Sequence, residues 1–410
     1  MLQAIEKLHY IILIRGIDAA QQQAQRSNLR SQPVSPPCFE HLYLHVPFCS
    51  RRCSYCDFAI AVRRVVPVRE FVAVVGREAG RHAADGVGSK LKSIYLGGGT
   101  PSKLGLDGIE MVLDTVRREG RFEEAPGAEV TIECNPEDIS REALLAWRGA
   151  GVNRLSIGVQ SFDDRVLQWM RRSHDAETAV SAVESAGAAG FDQISIDLIF
   201  GLPDTLGRDL SRDLDLAVSL DVKHLSVYGL TAEPKSPFGR WVARGTVREA
   251  PEERYESEFL MVHERLLVAG YEHYEVSNFA KPGHRSRHNA SYWSRAPYLG
   301  LGPSAHSFDG ERRRWWNARE YESWRRLVSD GGDPVAETEL LGPSELQAER
   351  VYLGLRTNRG LPGTSEIADQ VERFRIAGWA RMEGGNVMLT PKGWLRLDSI
   401  AASLTACTSR

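Results

Sequence analysis

The stretch His45-Val46-Pro47-Phe48-Cys49-Ser50-Arg51-Arg52-Cys53-Ser54-Tyr55-Cys56-Asp57-Phe58 decides how this chain is read. Three cysteines at spacing C-x3-C-x2-C follow the apolar run 42–46, so a strand there tethers a loop whose sulfurs can face one centre. Thiolates select soft metals and iron–sulfur clusters. A cube-shaped cluster has four irons, so three protein sulfurs leave one iron open to an exchangeable ligand, whereas four cysteines close a cluster used for electron transfer. Six cysteines in 410 residues are too few for a disulfide framework. A zinc ion with His41 or His45 as fourth ligand is the competing reading, although zinc motifs come more often as paired C-x2-C units. Cys38, Cys134 and Cys407 stand outside the motif and are assigned no metal.

Working outward, 410 residues suffice for one large domain plus a smaller one. With 42% apolar and 26% charged residues the composition is that of a globular chain, and a formal net charge of −3 argues against nucleic acid as a partner. No apolar run approaches the ~20 residues that span a bilayer. The run 10–14 is stopped by Arg15 without a small-residue cleavage site, so a cytoplasmic location is expected. Residues 1–38, rich in Gln, Ser, Arg and Pro beyond Ala19, are expected to be a flexible extension. A targeting segment or a misassigned start are the alternatives there.

From His41 to Leu230 short apolar runs alternate with longer amphipathic ones, the pattern of βα units around a parallel sheet. Strands are expected at 42–46, 93–96, 129–133, 154–158, 193–199 and 224–228. Helices are expected at 68–84, 107–119, 140–150, 163–189 and 206–219, with Asp107, Ser140 and Asp163 as N-caps. Six such units make a partial (β/α)6 barrel of TIM type, whose site gathers at the C-terminal strand ends.

Residues with chemistry do fall at those ends. Gly97-Gly98-Gly99-Thr100-Pro101 follows the second strand, where glycines permit close backbone approach to a ligand or simply a tight turn. Glu133 ends the third strand, suited to a ribose diol, an ammonium or a structural ion pair. Gln160 ends the fourth, and Arg171 and Arg172 follow on a helix, as a carboxylate clamp or a solvated face. Asp197 interrupts the apolar fifth strand, and a buried carboxylate needs a partner, from a ligand or from the core.

With an aromatic residue before its last cysteine, the C-x3-C-x2-C loop resembles the signature of the radical S-adenosylmethionine (SAM) superfamily. The resemblance implies that Cys49, Cys53 and Cys56 hold a [4Fe-4S] cluster whose free iron takes SAM. GGGTPS, the E-x-N-P segment, GVQSF and SIDLIFGLP narrow the likeness to the coproporphyrinogen dehydrogenase branch. By matched position it implies SAM contacts from Tyr43, Tyr55, Gly98, Gly99, Thr100, Glu133, Gln160, Arg172 and Asp197, and it covers roughly 41–405. The decarboxylating enzyme of that branch carries a further cysteine where this chain has Phe58. The block His288-Asn289-Ala290-Ser291-Tyr292-Trp293 resembles that of the HemW subfamily of heme chaperones. It implies heme contact through His288, Asn289, Tyr292 and Trp293, and heme-accepting partners such as respiratory membrane enzymes. Arg285, Arg287 and Arg295 are placed to meet propionates, and Gly300 and Gly302 to pass beside a planar ligand. A structural role for His288 is the alternative. The likeness assigns no catalytic residue, and a homodimer stays open. Oxygen-independent coproporphyrinogen III oxidation is the competing function.

The expected domains are the extension 1–38, a radical SAM partial barrel 39–235, a heme-binding and barrel-completing region 236–317, and a C-terminal part 318–410. In that last part helix, helix, two-strand wing and helix suggest a winged-helix-like α+β module. Its wing, around Glu383-Gly384-Gly385-Asn386, is not basic, which favours a cover or partner surface over DNA binding.

Overall fold

The computed structural model describes residues 38–84 and 90–408, and the expectations for residues 1–37 lie outside these. The described chain divides into two compact units, Phe39–Glu339 and 340–408. In the larger one the frame begins with β1 (His41–Val46), followed by two-residue strands β2 (Phe48–Cys49) and β3 (Ala61–Val62). Next come β4 (Lys90–Gly98), β5 (Glu123–Cys134), β6 (Arg154–Gln160), β7 (Gln193–Phe200) and β8 (His224–Gly229). Sheet order repeats chain order, β1-β4-β5-β6-β7-β8, each strand parallel to the next. All six positions of β1 are buried, as a strand covered on both faces requires. The expected six-strand frame is therefore present.

Residues 236–317 extend this sheet at both edges. Beside β8 lies β10 (Asn278–Ala280), antiparallel to it, and beyond that β9 (Glu272–Glu275), antiparallel to β10. Beyond β1 lies β11 (Tyr298–Leu301), parallel to it, followed by β12 (His306–Phe308), β13 (Arg313–Asn317) and β14 (Val335–Leu340). The region 236–317 is thus part of the barrel unit. The first stretch of the expected C-terminal part joins it too. Trp324, on the helix Tyr321–Ser329, packs against Phe71 and donates from Nε1 to the buried Glu78 at 3.0 Å.

Ser140 and Asp163 do cap their helices, accepting from the amides of Ala143 and Arg165. Such a cap contributes about 1 kcal/mol. Asp107 does not. The short turn Pro101–Leu104 runs directly into the helix Gly105–Gly120, which leaves Asp107 in the first turn, where its charge suits the helix dipole. The single helix expected at 163–189 is two, Asp164–Trp169 and Ala176–Ala188. Arg171 takes a left-handed backbone (φ 59) at the break, and Asp175 caps the second piece. Nothing in the apolar periodicity marks this interruption.

In the smaller unit the helix Pro343–Arg356 leads to a short strand β15 (Leu361–Pro362) and the helix Ala368–Ile376. The hairpin β16 (Ala380–Glu383) and β17 (Asn386–Leu389) pairs with β15 in the order β15-β17-β16, a winged-helix arrangement. The closing helix is interrupted, Pro391–Trp394 then Leu397–Thr408. On the wing Arg381 pairs with Glu383 at 3.1 Å.

Candidate cluster and cofactor site

Strand register sets the site. Val46 lies opposite Gly98, so the cysteine loop leaves β1 beside the glycine loop that leaves β4. Glu133 lies opposite Ser156, and Asp197 opposite Ser226, which gathers the carboxylates at the same C-terminal rim.

The cysteine loop is held by its own backbone. Ala61 N–H donates to Pro47 O at 2.7 Å and Arg63 N–H to Cys49 O at 3.0 Å. Ser54, between the second and third cysteines, donates to Met170 O at 3.1 Å and accepts from Phe238 N–H at 2.7 Å. Met170 stands at the helix break, so the interruption ties the loop to the barrel wall. His45 adds a brace. It is fully buried, its Nε2 lies 2.9 Å from Ala59 O, and its Nδ1 lies 3.2 Å from the Tyr43 hydroxyl.

Gly98 and Gly99 are required by packing. Gly98 has φ 111, and a Cβ there would stand 2.5 Å from the His45 ring. A Cβ on Gly99 would stand 2.7 Å from the Pro47 carbonyl. The two loops therefore meet backbone to backbone, with Cys49 Sγ 3.4 Å from Thr100 Oγ1.

The donor set, three thiols on one loop beside the Gly98–Gly99 backbone, suits an iron–sulfur cluster, in which each thiolate takes its own iron. Burial pushes the Cys49 thiol up to about 11 and the Cys56 thiol up to about 12, so a metal must displace these protons. Cys134 donates to Ser156 O within the larger unit, and Cys407 to Ser403 O within the smaller one.

Arg172 spans the site. Its Nη1 lies 3.6 Å from Cys53 Sγ and 3.4 Å from the Tyr55 hydroxyl, and its Nη2 donates to Asn135 Oδ1 at 2.6 Å and Gly158 O at 2.8 Å. Its Nε is buried and without a partner. Glu133 accepts from the Tyr95 hydroxyl at 2.8 Å and from Gly98 N–H at 3.0 Å, and burial raises its pKa. Asp197 accepts from Ser156 Oγ at 3.2 Å, and burial together with the Glu133 charge raises it to about 7. Gln160 ends β6 with φ 70, a left-handed backbone uncommon for a residue with a side chain. Tyr43, Tyr55, Gly98, Gly99, Thr100, Glu133, Gln160, Arg172 and Asp197 thus line one rim or the barrel interior beneath it. Asn135 and Tyr95 join the site beyond the sequence reading, although the E-x-N-P segment carried the signal for the first, and His45, weighed there as a zinc ligand, braces the loop.

His288, Asn289, Tyr292 and Trp293 are somewhere else. Their helix, Arg287–Trp293, crosses the N-terminal strand ends, opposite the cysteines. Glu129, midway along β5, accepts from the amides of Arg287 and His288. His288 is 0% exposed, with Nδ1 2.7 Å from Ser93 Oγ and Nε2 2.9 Å from the Tyr292 hydroxyl. Asn289, Tyr292 and Trp293 are 7%, 8% and 9% exposed. Both imidazole nitrogens are hydrogen-bonded within the barrel, and the block is packed as a floor. Its arginines are also engaged: Arg285 with Glu272, Arg287 with Gly127 O, and Arg295 with Glu311 O. Gly300 and Gly302 give close approach to the chain's own His306 and His45 carbonyls, and need no ligand to explain them.

The barrel and its cysteine loop agree with what comparison finds. Residues 43–217 match the model of the radical SAM superfamily. A heme chaperone HemW from Mycobacterium tuberculosis is 37% identical over 371 residues, 88% of this chain and 94% of the relative. This chain belongs to the HemW family. The heme chaperone HemW of Bacillus subtilis is 35% identical over 319 residues, 78% of this chain and 84% of the relative. The solved structure of the coproporphyrinogen III oxidase HemN from Escherichia coli shares the fold, with a TM-score of 0.77 over 93% of each chain at 22% identity. Among the described residues no helix is long and apolar enough to cross a membrane.

Proposed function

We propose that this chain is a heme chaperone that binds heme and passes it to acceptor proteins, on a scaffold holding a [4Fe-4S] cluster and SAM. The observation that supports it is identity of 37% across 94% of the length of a protein named as a heme chaperone, joined to Phe58 at the position of the extra cysteine. Cys49, Cys53 and Cys56 would hold the cluster. Tyr43, Tyr55, Gly98, Gly99, Thr100, Glu133, Gln160, Arg172 and Asp197 would receive SAM. When bound, the cluster offers one open iron and a redox centre. The chain's own residues orient what binds: Glu133 and Asp197 present acceptors for hydroxyl or ammonium groups, Arg172 sets a cation against Cys53, and Ser54 is fixed from both sides. A heme contact through His288, Asn289, Tyr292 or Trp293 requires their helix to leave the barrel floor. The location expected from sequence, the cytoplasm, and respiratory membrane enzymes as acceptors belong to the same proposal.

The test is anaerobic reconstitution with iron and sulfide, then heme titration with and without SAM, beside an assay for carbon dioxide released from coproporphyrinogen. Saturable heme binding with a Soret band and no carbon dioxide is expected. Decarboxylation under reducing conditions would replace the chaperone with an oxidase. Cys53→Ala is expected to remove the cluster and leave the circular dichroism unchanged.

A further inference from the structure

We propose that the cavity behind the cysteine loop is a ligand site for the carboxylate edge of a large, flat, amphipathic molecule, and that it takes the propionates of heme. The assignment to heme rests on the function proposed above. The cavity has a volume of about 580 Å³ and is walled by Pro47, Arg52 and residues 57–63 on one side, and by Lys235, Arg240 and residues 319–322 on the other. That size falls among ligand pockets of about 300–1,000 Å³.

Its charge is unbalanced. Arg52, Arg63, Lys235, Arg240 and Arg319 face three carboxylates, Asp57, Glu320 and Glu322, an excess of two positive charges. Glu322 is already engaged with Arg63 at 2.8 Å and Arg325 at 3.0 Å. Arg52 donates to Cys56 O at 3.5 Å and lies close enough to the Cys49 and Cys56 thiols for its charge to act on them, and Arg240 donates to Lys235 O at 2.8 Å. Among the described residues these two and Lys235 make no ion pair. Guanidinium groups match carboxylates in pairs of hydrogen bonds, and an excess of two matches a ligand with two carboxylates. Phe58, Ile60 and Val62 supply an apolar wall beside them.

No His, Cys or Met lines this cavity, and the hydroxyl of its one tyrosine, Tyr321, donates to Glu70 at 2.9 Å. The site can therefore grip a tetrapyrrole by its edge without ligating its iron. A carrier that holds the periphery leaves both axial positions for the acceptor, whereas a histidine ligand must first be displaced.

The experiment uses the full-length, cluster-reconstituted protein under anaerobic conditions. Heme, protoporphyrin IX and protoporphyrin IX dimethyl ester are titrated into the wild type and into the Lys235→Glu, Arg240→Glu double variant. Both side chains are exposed, so circular dichroism and iron content are expected to match the wild type. Heme and protoporphyrin IX are expected to bind the wild type alike, with the ester at least about tenfold weaker and the variant at least about tenfold weaker for the free acids. The Lys235→Gln, Arg240→Gln pair is expected to fall between, which guards against a variant that fails to fold. Unchanged affinity in the variant, an ester that binds as tightly as the acid, or binding that depends on iron would each overturn this site while leaving the chaperone function standing. A wild type that binds no heme would overturn both.

Discussion

Asp197→Asn separates a carboxylate kept for a ligand from one kept for the fold. Asp197 sits in the barrel interior with Ser156 and Ser226 as hydrogen-bond partners and the Glu133 charge nearby, and its pKa is raised from an ordinary 3.8 to about 7. The cause is burial first, and the Glu133 carboxylate second. A raised carboxylate favours folding while protonated, so its contribution is complete below 3.8 and is lost as pH rises through 7. Between pH 5 and pH 8 the folded state should lose about 2–3 kcal/mol through this group, at about 1.4 kcal/mol per pH unit over the interval where only the unfolded chain has released the proton. The asparagine keeps the shape and does not titrate. Urea unfolding of wild type and variant at pH 5 and 8 cancels every other titrating group to first order. The variant is expected to gain about 2–3 kcal/mol on the wild type over that range, and to bind SAM more weakly. A stability gap that stays constant with pH would refute a buried, elevated Asp197.

Gly99→Ala is expected to push the Pro47 carbonyl away and lower iron content after reconstitution, at a cost of about 1–3 kcal/mol in thermal unfolding, the usual range for overpacking. Arg172→Lys keeps the charge but loses the planar fork that reaches Asn135, Gly158, Tyr55 and Cys53 together. It should cost about 1–3 kcal/mol and shift the electron paramagnetic resonance spectrum of the reduced cluster. His288→Ala strands the buried Tyr292 hydroxyl and leaves Ser93 with His41 alone, so about 1–3 kcal/mol of stability should go, while the heme affinity of the folded fraction stays within about threefold. A lost Soret band at unchanged stability would return His288 to the role of heme ligand.

Much of this was legible in the sequence because two signals are local. Strand β1, with its apolar run leading into Cys49, and the Gly97–Gly99 turn are each read from a few adjacent residues, and their pairing follows from βα order. The positions of Glu133 and Gln160 are legible from the strand ends, and that of Asp197 from a charge inside an apolar strand. The floor was not legible. His288 reads as a ligand from its neighbours in sequence, but its partners Ser93 and Glu129 lie far back in the chain, and only the sheet register brings them beneath it. The basic cavity was hidden for the same reason. Arg52, Lys235, Arg240 and Arg319 come from three distant segments, and each alone resembles an ordinary solvated cation.

The helix Arg287–Trp293 links two layers of the barrel through side chains alone. Its His288 bonds Ser93 and stacks on the Tyr95 ring, and the Tyr95 hydroxyl reaches Glu133, so a displacement of that helix would be felt at the rim carboxylate through a single tyrosine.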